Sequence, residues 1–197
     1  MSKDFDILNE YEKGYDNYVL GNDKIHSSYK ISGNIFAHVI RKNIKNIIGD
    51  KYKISVVNSY IRGCNIEWDL LILKNNVTNE ERDYNIYLPE HVECVVEFRS
   101  SVASRNIDPV ASKEYIRKYI SVLNKIDDNI KYLYVSLCEH RKNLEAMRRE
   151  YDEYCFWIIE DRYSNSNKKE TVVNGRLELK IKLEKVLKLD YVKVSCP

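Results

Sequence analysis

Two apolar runs with acids inside them constrain this chain more than any other feature: Asn65-Ile66-Glu67-Trp68-Asp69-Leu70-Leu71-Ile72-Leu73 and His91-Val92-Glu93-Cys94-Val95-Val96-Glu97-Phe98-Arg99. Both read as buried β-strands. An ionised carboxylate in apolar surroundings is costly, so such acids bind a cation, pair with a base, or sit where a sheet opens to solvent. Side chains two apart on a strand share a face, roughly 6.6 Å from each other. Glu97 and Arg99 are therefore neighbours, with Glu93 and Val95 on the same side. In the earlier run Glu67, Asp69, Leu71 and Leu73 form one face, and Ile66, Trp68, Leu70 and Ile72 the other. If the two strands pair, Asp69 and Glu97 converge. Two carboxylates with a cationic side chain beside them form a set suited to a divalent metal and phosphodiester hydrolysis.

The flanking pattern alternates helix and strand. Leu8, Tyr11, Tyr15 and Tyr18 recur at helical intervals between Asp4 and Leu20, before the Gly21-Asn22-Asp23 break. From Ser28 to Ile48, Ile31, Ile35, Val39 and Phe36, Ile40, Ile44, Ile47 make a broad apolar stripe that ends at Gly49. Lys53 to Ile61 and Ile66 to Leu73 read as neighbouring strands across an Arg62-Gly63-Cys64-Asn65 turn, with His91 to Arg99 as the third. Lys74 to Glu90, between the last two, reads as a long polar connection. Asp108 then caps a helix with Pro109 at its first position, carrying Ile116, Tyr119, Ile120 and Leu123. Tyr132 to Cys138 is a strand expected parallel to the third, followed by a helix over Asn143 to Glu153 and a strand over Tyr154 to Ile159. Tyr163 to Glu170 reads as a polar loop and Asn174-Gly175 as a hairpin turn. Leu177, Leu179, Ile181 and Leu183 alternate like a strand, whereas Val186, Leu187 and Leu189 turn helix-like, so the class of this tail stays open.

These residues resemble the restriction-endonuclease-like nucleases of the PD-(D/E)xK superfamily, whose pattern is an acid at the second core strand and an acid-x-lysine triplet in the third. Asp69 matches the first acid, and Glu97-Phe98-Arg99, followed by Ser100-Ser101, stands where the triplet would be. The resemblance implies an α/β fold, a central mixed sheet flanked by helices in the order αβββαβ. It also implies that Asp69 and Glu97 ligate Mg2+ or Mn2+, with Arg99 in the lysine position. Arginine does not surrender a proton near neutral pH, so it can orient water or neutralise charge but not act as a base. Lys113, at the start of the next helix, is the candidate substitute for that lysine. The helix glutamate of many members is missing from Gly33 to Ile40, where His38 is the titratable residue. Glu67, Glu93 and Glu139 are weaker acid candidates, and His26, His38, His91 and His140 read as structural.

The chain of 197 residues reads as a single nuclease-like domain, with a helical segment over 1–27 and a core over about 28–160. A net charge of +2 argues against binding nucleic acid through bulk positive charge, so any basic surface is local, at Arg141-Lys142, Arg148-Arg149 or Lys168-Lys169. Sixteen tyrosines fit compositional bias of the source genome better than a set of base-stacking platforms. Five cysteines lack the paired spacing of a zinc site, and the Met1-Ser2-Lys3-Asp4 start lacks a secretory apolar segment, so an intracellular, cytoplasmic setting is expected. No P-loop, nucleophile elbow or zinc-protease helix occurs in the sequence. The expected activity is metal-dependent phosphodiester hydrolysis, of DNA in preference to RNA, without a membrane and with a homodimer as a compatible assembly. The alternatives are a catalytically inactive nuclease-fold protein that binds nucleic acid or a protein partner, and a purely structural interaction protein.

Overall fold

The computed structural model describes residues 6–16, 29–99, 109–140, 145, 148–164, 167–172 and 174–188. In chain order the elements are α1 (Asp6–Tyr15), α2 (Tyr29–Ile48), β1 (Lys53–Ile54), β2 (Ser59–Ile61), β3 (Glu67–Trp68), β4 (Leu70–Leu73), α3 (Asn79–Tyr84) and β5 (Ile86–Tyr87). They continue with β6 (Val92–Arg99), α4 (Pro109–Ile126), β7 (Lys131–His140), β8 (Cys155–Ser164), β9 (Asn167–Val172) and α5 (Arg176–Val186). A six-stranded sheet runs β1-β4-β6-β7-β8-β9 and a three-stranded one β3-β2-β5. The large sheet is mixed: β4 is antiparallel to β6, β6, β7 and β8 are mutually parallel, and β9 returns antiparallel.

Alternation along the strands divides the core between the two faces of the large sheet. Leu70, Ile72, Cys94, Val96, Leu133, Val135, Phe156 and Ile158 face α1, α2 and α5, which contribute Ile7, Phe36, Ile40, Ile44, Leu179 and Leu183. Leu71, Leu73, Val95, Tyr132, Tyr134, Cys155 and Trp157 face α4, which contributes Ile116 and Leu123. Cys94, Cys138 and Cys155 are buried free thiols, and burial pushes that of Cys94 far up, so it packs as a small apolar group.

Both strands of the expected hairpin divide in two. β1 pairs with β4, while β2 pairs with β3 in the smaller sheet. The crossing points are residues 55–58, where Asn58 takes a left-handed φ of 61°, and Asp69, which lies at a bend and belongs to neither strand. The bend resets the side-chain period. Trp68 consequently joins Leu71 on the α4 side instead of sharing a face with Leu70 and Ile72.

The connection from Lys74 to Glu90 is folded and not a plain loop. Thr78 caps α3 through a Thr78-x-x-Glu81 capping box, and β5 pairs in parallel with β2. Glu81, 5% exposed, accepts hydrogen bonds from the Thr78 N–H and hydroxyl and from the Leu88 N–H, each at 2.8 Å. His91 Nδ1 lies 2.8 Å from the same carboxylate, so this histidine has a partner that strand spacing did not reveal. Burial pushes the Glu81 carboxyl up, but these four donors outweigh it and hold it down at about 2.

Two more readings change beyond residue 160. The described residues between Tyr163 and Glu170 belong to the β8–β9 pairing, with Tyr163 opposite Lys168 and Ser164 opposite Asn167. The tail is helical: Leu179 and Leu183, four apart, are wholly buried against α2, while Leu177 and Ile181 are exposed. A period-two row contains two such i,i+4 pairs, and burial of one of them selects the helix. Gly175 opens α5, its N–H donating to Glu178 at 2.7 Å, and Arg176 reaches Asn43 at 2.7 Å and Glu10 at 3.1 Å. Asp108, Ser100, Ser101, His26, Cys196, Arg141 and Lys142 lie outside the described residues, as do the side chains of Glu139, His140, Lys168 and Lys169.

Candidate active site

Asp69 and Glu97 arrive from different backbones, a bend and a strand, and meet where the two sheets part. The Phe98 N–H donates to Asp69 Oδ2 at 2.7 Å, and the Asp69 N–H donates to Glu97 Oε1 at 3.4 Å. Asp69 thus touches the backbone beside Glu97, and Glu97 the backbone of Asp69 itself. The bend allows this: at Asp69 the chain has left β3 and not yet entered β4, so its N–H and carboxylate both turn to β6.

Glu97 is 4% exposed and faces α4. Its Oε2 accepts from the Tyr115 hydroxyl at 3.4 Å, and the Tyr119 hydroxyl, one turn further along α4, donates to Tyr115 at 2.8 Å. The Arg99 guanidinium lies 4.3 Å from the centre of the Tyr115 ring. Tyr119 stands edge-on to Tyr115 at 4.3 Å and to the wholly buried Trp68 at 5.1 Å. The Tyr132 hydroxyl, near enough to feel the Glu97 charge, has no hydrogen-bond partner among the described residues.

The electrostatics follow from this crowding. Burial, and then the charge of Asp69, push the Glu97 carboxyl up to about 8. Burial also raises Asp69, with Glu67 adding to the shift, while the Phe98 N–H, Arg99 and a hydrogen bond to Glu97 pull it back. Burial and mutual repulsion thus both oppose a second negative charge on the pair, as for like carboxylates in contact. Burial lowers the Arg99 pKa, but the negative potential of Tyr115, Tyr134, Glu97 and Asp69 outweighs it and moves the pKa up.

The candidates from the sequence separate clearly. Asp69, Glu97 and Arg99 come together. Lys113 lies on α4 two residues before Tyr115 and forms an ion pair with Glu150. Glu67 is exposed and accepts from the Tyr60 hydroxyl at 2.6 Å, whereas Glu93 sits beside Tyr52. His38 is exposed on α2, which covers the sheet face opposite Glu97. Tyr115 and Tyr119 were missed. Their signal was present as two tyrosines four apart on the helix that follows the acid-bearing strand, but it was absorbed into the apolar stripe and the overall tyrosine excess.

The donor chemistry fits a hard divalent cation. Two carboxylates that repel each other gain from a shared cation, and oxygen donors suit magnesium or manganese. No group of three or more His, Cys, Asp or Glu side chains with metal-binding geometry occurs among the described residues. A site of two carboxylates matches the habit of magnesium, which keeps several waters and takes substrate oxygens.

Sheet order, flanking helices and the placement of the acid pair define a restriction-endonuclease-like fold. Among solved structures the chain is similar to NucC of P. aeruginosa ATCC27853 in its cAAA-bound form, with a TM-score of 0.53 and 12% identity over 93% of this chain and 85% of that one. It is also similar to NucC of E. coli MS115-1, again cAAA-bound, with a TM-score of 0.56 and 10% identity over 93% of this chain and 84% of that one. At such identities the likeness is one of fold. No protein-family model matches the chain, and no curated protein matches it in sequence. No helix among the described residues is long and apolar enough to cross a membrane.

Proposed function

We propose that this chain is a divalent-metal-dependent nuclease that hydrolyses phosphodiester bonds in DNA. The observation that carries this reading is the mutual contact of Asp69 and Glu97 where the restriction-endonuclease-like sheet parts from the smaller one, with Arg99 on the same face as Glu97. Asp69 and Glu97 would hold magnesium or manganese, which supplies charge neutralisation at the phosphate and a more acidic attacking water. Arg99, whose guanidinium lies over the Tyr115 ring within electrostatic reach of both acids, would steady charge that develops on the phosphate, a task for a fixed cation and not for a base. Lys113 would add positive charge once released from Glu150. The Phe98 N–H keeps Asp69 aimed at β6.

The test is incubation of wild type and Asp69→Ala with single- and double-stranded DNA and RNA, with manganese, magnesium or chelator, each with and without cAAA. The ligand enters because both NucC neighbours were solved with it bound. Metal-dependent cleavage by wild type alone is expected, and Asp69→Ala should lose more than the roughly 10- to 100-fold that loss of a group supporting a metal ligand costs. Full activity in Asp69→Ala would remove the mechanism.

A second reading is a catalytically silent member of the fold that binds nucleic acid or a protein partner. It is favoured by arginine at the lysine position and by the engagement of Lys113 with Glu150. It is selected if no metal supports cleavage while nucleic acid or a partner still binds.

A further inference from the structure

Resting on the nuclease reading above, we propose that Tyr115 is a positioning residue that holds both functional groups of β6, the Glu97 carboxyl through its hydroxyl and the Arg99 guanidinium through its ring. The two groups lie two residues apart on one strand, and a single side chain from α4 meets both, at 3.4 Å and 4.3 Å. Arg99 is exposed at the end of the strand. A long side chain there is better fixed by a platform than by charge alone, and an aromatic face suits a planar guanidinium better than an ammonium.

Tyr115 is itself immobilised. Its hydroxyl accepts from Tyr119 at 2.8 Å, and Tyr119 packs edge-on against Trp68. The resulting stack, Arg99 over Tyr115, then Tyr119, then Trp68, begins two residues after Glu97 and ends at the residue before Asp69. It frames the acid pair from one side with rigid rings. Positioning a reacting group within a fraction of an ångström depends on such support. The stack also accounts for arginine at this position: the residue and its platform form a matched set.

Ring and hydroxyl are separable by substitution. Tyr115→Phe keeps the ring and removes the hydroxyl; Tyr115→Leu removes both, with Tyr115→Met as its replacement should the leucine variant not fold. The measurements are manganese affinity by calorimetry, kcat and KM separately, and the NMR signal of the Arg99 Nε–H in metal-free protein, which a ring beneath it displaces. Tyr115→Phe should keep the displaced Arg99 signal and weaken manganese binding several-fold. Tyr115→Leu should abolish the displacement and lower kcat about tenfold further, at little change in KM. In an Arg99→Lys background the same leucine substitution should cost much less, since coupled residues do not add. An Arg99 signal unchanged in Tyr115→Leu, or strictly additive losses, would overturn the proposal. If wild type neither binds manganese nor cleaves, the nuclease reading falls, and the Arg99 signal alone still decides whether Tyr115 positions it.

Discussion

Glu81 and Glu97 are almost equally hidden, at 5% and 4% exposure, yet their pKa values move in opposite directions, one down to about 2 and the other up to about 8. Burial disfavours the charged form of both. It weighs more on Glu97, which lies deeper in the protein, and what surrounds the two widens the difference. Glu81 collects four donors from a helix cap, a turn and a histidine, so its charge is the best-solvated state available. Glu97 has two long hydrogen bonds and another carboxylate beside it. A buried acid with its donors supplied reads as a structural staple; one left in want of positive charge reads as a binding site.

The largest effect expected of this contrast is on stability at Glu81. Glu81→Ala leaves the Thr78 and Leu88 N–H groups and His91 unpaired, and should cost about 3 kcal/mol in urea unfolding. A negligible loss would mean that the capping cluster is not a staple. Glu97→Gln should do the reverse, stabilising the metal-free protein by about 1 kcal/mol at pH 8 while abolishing the stabilisation given by manganese. A destabilised glutamine variant would make Glu97 structural and erase the distinction.

The pH dependence sharpens it further. For Glu81 the folded-state value lies below the unfolded one, so its contribution is present above about pH 4.5 and is lost as pH falls toward 2. For Glu97 the folded-state value lies above the unfolded one, so its contribution is greatest below about pH 4.5 and declines as pH rises toward 8. Metal-free thermal unfolding across this range should therefore show stability falling on both sides. Glu81→Gln should flatten the acid limb and Glu97→Gln the alkaline limb. Manganese should lift the alkaline limb of wild type only. The smallest effect belongs to the half-exposed Lys113–Glu150 pair. Glu150→Gln should change stability by less than about 0.5 kcal/mol, and a rise in cleavage rate on freeing Lys113 would bring that lysine into the site.

The acids of the candidate site were legible because they interrupt apolar runs, and Glu97 beside Arg99 followed from strand alternation alone. Asp69 was legible as a residue but not as a bend: nothing local distinguishes a continuous strand over Ile66 to Leu73 from two strands that change sheets within it. The Thr78-x-x-Glu81 capping box was also written in the sequence, inside a segment whose polarity suggested an unstructured connection. In the tail, Leu177 to Leu183 fits a strand on one face or a helix on i,i+4 pairs, and only the groove against α2 chooses.

By itself, then, the chain determined the identity of its acidic and basic groups and the period of most core strands, because a strand's alternation is a property of its own backbone. Tertiary structure decided what those groups meet. The contacts between Asp69 and the Glu97–Phe98 segment span 28 and 29 residues, and that of Tyr115 with Glu97 spans 18. Contacts at such separations exist only once sheets have paired and α4 has docked, and so do the opposite acidities of two glutamates that look alike in the sequence.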